Sequence, residues 1–371
     1  MKIGILTIHF GRNCGSALQA YALNRYLTKQ GHEVRTIDYI PERFSFRNKY
    51  RVGKNRNAAV SLIASVLKFP KNFLQYTAFD GFLRKYVPMT RRITDAAEMQ
   101  KYAGDFEALI VGSDQVWNPE YNGESQRDYY LEFEEGMSVR RIAYAASIGL
   151  DKLPEEIGRD MARALSGFSA VSVREKSGAE LLGAFGISAE QCIDPVFLLT
   201  KQEWSSLAAP ASGKEPYIFV YALGGKETAV IDYAEFVARR IHAKIVYMGF
   251  AGLKDKRIDR QYIYGSPKDF VRLLSGAEFV VTNSFHATAF SLIFEKKFLS
   301  VSREKFNSRL MDILKACGLE NRLVAPKLFD RNVSGDVFEN IDYEAVKARM
   351  DAVRVRSEAF LKRAGIGGND E

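Results

Sequence analysis

Apolar positions along the chain fall into short β-branched runs that alternate with longer stretches of helical spacing. The first forty residues set this theme. "KIGILTI" has the pattern of a buried strand, "GRNCG" that of a turn, and "SALQAYALNRYLTKQG" that of a helix stopped by Gly31. "EVRTIDYI" is the next strand. A strand–helix–strand unit of this kind predicts a parallel sheet.

The alternation continues. Helical segments are expected at about Ala59–Lys85 and Thr94–Ala103, then a buried strand at Leu109–Val111 that breaks at Gly112. "RRIAYAASIG" is a strand ending near Ser147, "PEEIGRDMARALSGF" a helix, and "SAVSVREKSGAELLGAFG" a strand to Arg174 followed by a helix. "AEQCIDPVFLL" closes this part. "TKQEWSSLAAPASGKEP", residues 200–216, is small, polar and Pro-containing, which reads as a linker.

Beyond it the pattern restarts. "YIFVYALGGKETAVIDYAEFVARRIHA" is strand, turn and helix, and "KIVYMGF" a strand. "SPKDFVRLLSGAEFVVTNSFHATAFSLIFEKKFLSVS" is helix, strand, helix, strand, and "RLMDILKACGL" a further helix. A long charged helix at 343–363 comes last. The expected architecture is α/β: two Rossmann-like parallel-sheet domains, residues 1–199 and 217–341, facing a cleft, with helix 343–363 packing back on the first. That is the GT-B-like layout. Flavodoxin-like pairs and periplasmic-type binders would give a similar pattern, although the latter should carry a signal peptide.

Composition narrows this picture. A length of 371 residues with 47% apolar and 26% charged suits two globular cores. No run of 18 apolar residues is present, and the N-terminus reads as a first strand rather than a signal peptide. Three cysteines, Cys14, Cys192 and Cys317, have no metal-type spacing, which points to a reduced, cytoplasmic setting. The net charge of +8 favours anionic partners. Six Lys/Arg and no acid fall within Arg43–Asn57. This run is either a solvated loop or a peripheral contact with inner-membrane headgroups or a lipid-linked substrate. Nothing resembles a zinc finger, an RNP motif or a heptad run, so nucleic acid is not an expected partner.

Residues just past the strands form a distinctive set. They are Asn13–Ser16, Gly112–Gln115, Ser147–Gly149 and Arg174 in the first domain, and Gly224–Lys226, Asn283–His286 and Ser302–Arg303 in the second. Small residues there let backbone N–H groups approach a ligand, and helix N-termini favour anions. "GRNCGS" is not G-x-G-x-x-G, and "GGK" lacks the remainder of a P-loop. Arg174 faces either the cleft or an acid such as Glu175 or Glu180; Asp114 either meets a ligand or caps "QVWN"; Trp117 reads as packing. His286 stands out among four histidines. With Asn283 or Ser284 as N-cap it lies in the first turn of a helix, where a cation opposes the helix dipole unless an anion is bound beside it. His9 is a lesser candidate for the cleft.

Taken in order and spacing, "NCGSALQAYAL", "VGSDQVWNP", "SVREKSG", "DPVFLL" and "NSFHATAFSLIFEKKF" resemble the polysaccharide pyruvyl transferase family over most of the chain. The resemblance implies a GT-B-like enzyme that moves a pyruvyl group from phosphoenolpyruvate to a sugar, usually as a cyclic ketal, in bacterial surface-glycan or exopolysaccharide synthesis. It implies phosphoenolpyruvate and a glycan acceptor, lipid-linked in one version, as partners. It implies no metal and no cofactor beyond the donor substrate. His286 falls on the family histidine that contacts the donor phosphate or acts in acid–base catalysis, and Arg174 on an arginine held to bind the donor. The candidate substrate-binding set is Arg174, Asn13, Gly15, Ser16, Ser113, Asp114, Asn283, Ser284, Lys305 and Arg309. One departure is evident. Many relatives have an arginine two residues before the histidine, where this chain has Ser284; either Arg303, Lys305 or Arg309 replaces it, or the donor sits differently, or activity is altered. Two other functions compete: a nucleotide-sugar glycosyltransferase, which would need a ribose-binding carboxylate such as Glu227 or Glu304, and a non-catalytic member of a polysaccharide-assembly complex.

Overall fold

A computed structural model describes residues 1–45, 58–132, 139–211, 215–224, 227–303, 308–326 and 335–367. The first sheet has six strands: β1 (Lys2–Leu6), β2 (Glu33–Thr36), β3 (Ala108–Val111), β4 (Arg140–Ala146), β5 (Ala170–Val173) and β6 (Glu190–Gln191). The second has six more: β7 (Tyr217–Tyr221), β8 (Lys244–Met248), β9 (Arg260–Tyr262), β10 (Phe279–Thr282), β11 (Lys297–Val301) and β12 (Leu323–Val324). Every pairing within the two sheets is parallel. The central strands are buried along their whole length, as in "ALIV" and "FVVT". Helices cover both faces of a parallel sheet, which is why such strands are apolar without alternation.

In the first domain, α1 (Cys14–Lys29) joins β1 to β2, and α2 (Ala58–Tyr86) and α3 (Met99–Ala103) precede β3. Next come α4 (Pro119–Asn122), α5 (Glu155–Leu165) and α6 (Lys176–Gly183). A helix α7 (Lys201–Leu207) leads towards the second sheet, whose crossovers are α8 (Glu227–Ile241), α9 (Pro267–Gly276), α10 (Phe285–Ile293) and α11 (Ser308–Cys317). Last is α12 (Tyr343–Arg363).

Strand order is β2-β1-β3-β4-β5-β6 in one sheet and β12-β11-β10-β7-β8-β9 in the other. The order reverses between β1 and β3 and again between β7 and β10. Ligands of doubly wound sheets bind in the crevice outside the carboxyl ends at such reversals. Here the two reversals face each other. The first turn of α1 packs against α9 and α10, and the Cys14 amide donates to the Tyr221 hydroxyl at 3.2 Å.

The structure departs from the sequence pattern in a few places. Residues 201–207 of the expected linker are helical. Thr200 caps α7, Glu203 completes the capping box, and Trp204 is fully buried. The indole donates to the Val196 carbonyl at 3.0 Å and meets Phe290 of the second domain edge-on at 4.8 Å and Tyr21 of the first at 5.6 Å. Trp204 therefore plugs the junction, and Trp204→Ala is expected to cost about 3–5 kcal/mol, read as a lowered midpoint in urea unfolding. Strands β6, β9 and β12 were not expected. They are two or three residues long at or next to the sheet edges, too short for a pattern. The expected strand "EVRTIDYI" pairs as a ladder only over Glu33–Thr36 and then makes isolated bridges to Met89 and Ile93.

Helix α12 returns to the first sheet. The Ile193 amide donates to Ser357 Oγ at 2.8 Å, Arg140 donates to the Ala364 and Gly365 carbonyls at 3.3 Å, and Arg363 pairs with Glu190 at 2.6 Å. Its other end holds the second domain, where Arg349 donates to the Cys317 carbonyl at 2.6 Å. Among the described residues no helix is long and apolar enough to cross a membrane. The three cysteines are buried and unpaired.

Candidate functional site

The facing reversals enclose a cavity of about 370 Å³. Its first-domain wall is Asn13 and the segment Asp114, Gln115, Asn118, Glu120 and Tyr121. Its second-domain wall is Leu223, Asn283–His286, Arg303 and Arg309. The walls differ in chemistry: amides, carboxylates and an aromatic ring on one side, a histidine and two arginines on the other.

His286 is placed by the end of β10. The Asn283 side chain accepts from the Leu223 amide at 2.7 Å and donates to the Leu223 carbonyl at 2.9 Å, locking β7 and β10 together at the reversal. Ser284 is the N-cap of α10, accepting from the Ala287 amide, so His286 is the second helical residue and is buried. Ser284 thus serves the helix start. A Cβ added to Gly15, in α1, would lie 2.0 Å from His286 Nδ1, so the ring rests on the bare glycine backbone of the other domain.

On its far side His286 Nε2 lies 3.5 Å from Asp194 Oδ2. The same carboxylate oxygen accepts from Arg174 Nη1 at 2.7 Å, and Oδ1 accepts from the Val196 amide at 3.0 Å. Burial alone would raise the Asp194 carboxyl, but His286 and Arg174 together hold it well below the usual carboxylate range. Arg174 also pairs with Glu175 at 3.0 Å, and its guanidinium lies 4.3 Å over the Phe285 ring. The alternative between cleft and acid partner is resolved in favour of Glu175 and Asp194. Arg174 lines an adjoining chamber of about 110 Å³, not the main cavity, and its Nη2 has no hydrogen-bond partner among the described residues.

Arg309 lines both spaces, and no described residue pairs with it; its Nε is buried without a partner. Burial, reinforced by nearby Arg174, pushes its guanidinium down to about 10 against the opposing pull of Glu175 and Asp114. Arg303 lies on the same wall, packed on Gly224.

Of the candidates from sequence, Asn13, Asp114, Asn283, Ser284, His286 and Arg309 line the cavity together. Gly15, Ser16, Ser113 and Arg174 stand behind its wall. Ser16 donates to Asp114, and Ser113 Oγ to the Ala145 carbonyl at 2.7 Å. Asp114 Oδ1 accepts from the Gln115 amide at 2.9 Å, so it caps its own turn as well as facing the cavity. Trp117 is packing, fully buried and bonded to the Tyr129 carbonyl. His9 is outside the cavity lining. Its ring nitrogens face the Thr7 carbonyl at 3.0 Å and Asp38 at 3.1 Å, in a buried network with Arg92. Lys305, and residues 46–57 of the basic run, lie outside the described residues. Arg43, at the start of that run, is held by the Tyr121 carbonyl and lies over Phe44, which stacks on Tyr121.

Sequence reasoning placed Gln115 at a strand end but gave no role to Asp194 and missed Asn118, Glu120 and Tyr121. The last three had a signal, since they closely follow Asp114. Among the described residues no group of three His, Cys, Asp or Glu is arranged to hold a metal.

Two doubly wound parallel domains with a shared cavity at their reversals define the class: a two-Rossmann, GT-B-type protein. The chain belongs to the polysaccharide pyruvyl transferase family, whose model matches residues 13–305. Arg309 and α12 lie beyond that match. No curated protein sequence matches the chain. Solved structures similar to it include a UDP-GlcNAc 2-epimerase of Methanocaldococcus jannaschii in complex with UDP-GlcNAc and UDP, 12% identical, covering 95% of this chain and 93% of that one at a TM-score of 0.48. MurG of Acinetobacter baumannii is 8% identical, with 98% of each chain covered and a TM-score of 0.45. The ADP-heptose LPS heptosyltransferase II of Escherichia coli is 13% identical, with 96% and 100% covered and a TM-score of 0.40.

Proposed function

We propose that the protein transfers the pyruvyl group of phosphoenolpyruvate to two hydroxyls of a sugar in a bacterial surface-glycan or exopolysaccharide precursor, forming a cyclic ketal and releasing phosphate. The observation that carries this reading, within a chain of this family, is the cationic wall. His286, Arg303 and Arg309 converge with the N-terminus of α10 on one cavity. A donor bearing phosphate and carboxylate matches that charge. His286 would deliver a proton to the methylene carbon as the first sugar hydroxyl bonds to C2. The second hydroxyl then bonds to the same carbon as the C–O bond to phosphate breaks. Of the two hydroxyl protons, one balances the new methyl group and the other leaves with phosphate.

The opposite wall suits the acceptor. Gln115 and Asn118 are amides, Glu120 and Asp114 are carboxylates that can accept hydroxyl protons, and Tyr121 offers an exposed ring. A lipid-linked acceptor met at the cytoplasmic face of the inner membrane belongs to the same proposal. Its support is the six Lys/Arg within residues 43–57.

The test is incubation with phosphoenolpyruvate and a panel of glycans, followed by mass spectrometry of the glycan and a phosphate assay. Ketal gain with stoichiometric phosphate is the expected result. Calorimetry showing tight nucleotide-sugar binding and none of phosphoenolpyruvate would overturn it in favour of glycosyl transfer. Loss of a charged hydrogen-bond partner is worth about 1.5–3 kcal/mol. Arg309→Ala should therefore weaken phosphoenolpyruvate binding by about 10- to 100-fold in the same calorimeter. Unchanged affinity would move that role to Arg303 or Lys305.

A further inference from the structure

We infer that Asp194 is a positioning residue that fixes the catalytic histidine from the opposite domain. The inference rests on the proposed role of His286. Asp194 sits at the N-cap of the Pro195–Leu198 turn in the first domain, and His286 in the second. The carboxylate lines no part of the main cavity and is nearly inaccessible, at 1% exposure. Its four neighbours are Arg174 Nη1 at 2.7 Å, the Val196 amide at 3.0 Å, Ser113 Oγ at 3.5 Å and His286 Nε2 at 3.5 Å. Arg174 already has Glu175 beside it, so Asp194 is one carboxylate more than the guanidinium needs. The surplus faces the imidazole.

His286 Nε2 is sealed from water and makes no hydrogen bond among the described residues; the carboxylate it faces is Asp194, with Oδ2 at 3.5 Å. A buried ring nitrogen facing a carboxylate is the one that carries hydrogen, and the partner of one nitrogen decides the state of the other. Asp194 thereby holds the Nε2–H form and leaves Nδ1, which packs against Gly15, as the nitrogen that carries no hydrogen in the neutral ring. The other charged groups around the ring are Glu175, Asp114, Arg174, Arg303 and Arg309. None of them approaches Nε2 as an acceptor. Gly15 and Asp194 thus clamp the ring from two sides, and both belong to the first domain. The histidine is oriented for chemistry only while the two domains are docked.

Asp194→Asn tests this, because asparagine can still accept from the Val196 amide and so preserve the turn. The variant should lose about 10²–10⁴-fold in kcat with KM for phosphoenolpyruvate within about threefold of wild type. In a His286→Ala background the same change should add almost nothing, since the two residues act as one unit. A loss of equal size in that background, or one expressed in KM, would assign Asp194 to Arg174 and overturn the inference. Nitrogen-15 imidazole spectra of the wild-type protein, with His286 assigned by difference from His286→Ala, give a second readout that needs neither substrate nor a folded Asp194 variant. The neutral ring should be the Nε2–H tautomer. A predominant Nδ1–H form would refute the clamp. Absence of activity on every glycan would instead strike the proposed reaction and leave the spectrum to stand by itself.

Discussion

Alanine at position 286 removes transfer, with kcat down about 10³-fold or more and the fold retained. General acid–base groups are worth about 10²–10⁴ in rate, and His286 is the only histidine that lines the cavity. The ring is nearly buried but packs at the domain junction rather than within a sheet core. Truncation is therefore expected to lower stability by about 1–3 kcal/mol without unfolding the protein. Phosphate release measured beside thermal unfolding by circular dichroism separates the two effects. Wild-type-like turnover in a folded His286→Ala protein would end the catalytic assignment.

Gly15→Ala is the second large effect, and its sign is the diagnostic. Alanine within a helix normally gains about 0.5–1 kcal/mol over glycine. Here the added methyl would fall 2.0 Å from His286 Nδ1, 2.2 Å from Cγ and 2.7 Å from Cβ. The imidazole must swing away or α1 must recede from α10. Overpacking of this kind costs about 1–3 kcal/mol, enough to outweigh the propensity gain. A displacement of about 1 Å at a reacting group can cost about 10²-fold. Gly15→Ala should therefore be both less stable, by urea titration, and at least about 10²-fold slower in phosphate release. An active, stabilised Gly15→Ala protein would show that the two first turns have room between them.

Much of the fold was legible because parallel strands covered on both faces leave continuous apolar runs. "ALIV", "KIVYM" and "FVVT" announce themselves in this way. Polar edge strands do not: Glu190–Gln191 and Arg260–Tyr262 are defined only by their neighbours. The linker was misread although Thr200 and Glu203 spell a capping box, because the surrounding Ser, Ala and Pro residues outweighed that signal. For the site, the first-turn placement of His286 followed from local rules of capping and helix dipole. Its partners did not. Gly15 read as a ligand contact and Arg174 as a donor cation, yet one clears space for the ring and the other is held by two carboxylates. Asp194 was visible only as the first residue of "DPVFLL", with nothing in that motif pointing to His286. It lies 92 positions from His286 in sequence, and only the docking of two domains makes them neighbours.

The return of α12 to the first sheet has a consequence for biosynthesis. Amino-terminal domains usually fold as units while the rest of the chain is still being made. Here Phe360, Leu361 and Ile366, which fill the first domain's outer face, are translated after every strand of the second sheet. The amino-terminal half leaves the ribosome with that apolar seat open and the Ile193 amide awaiting Ser357. Its completion is deferred until the other half has been synthesised.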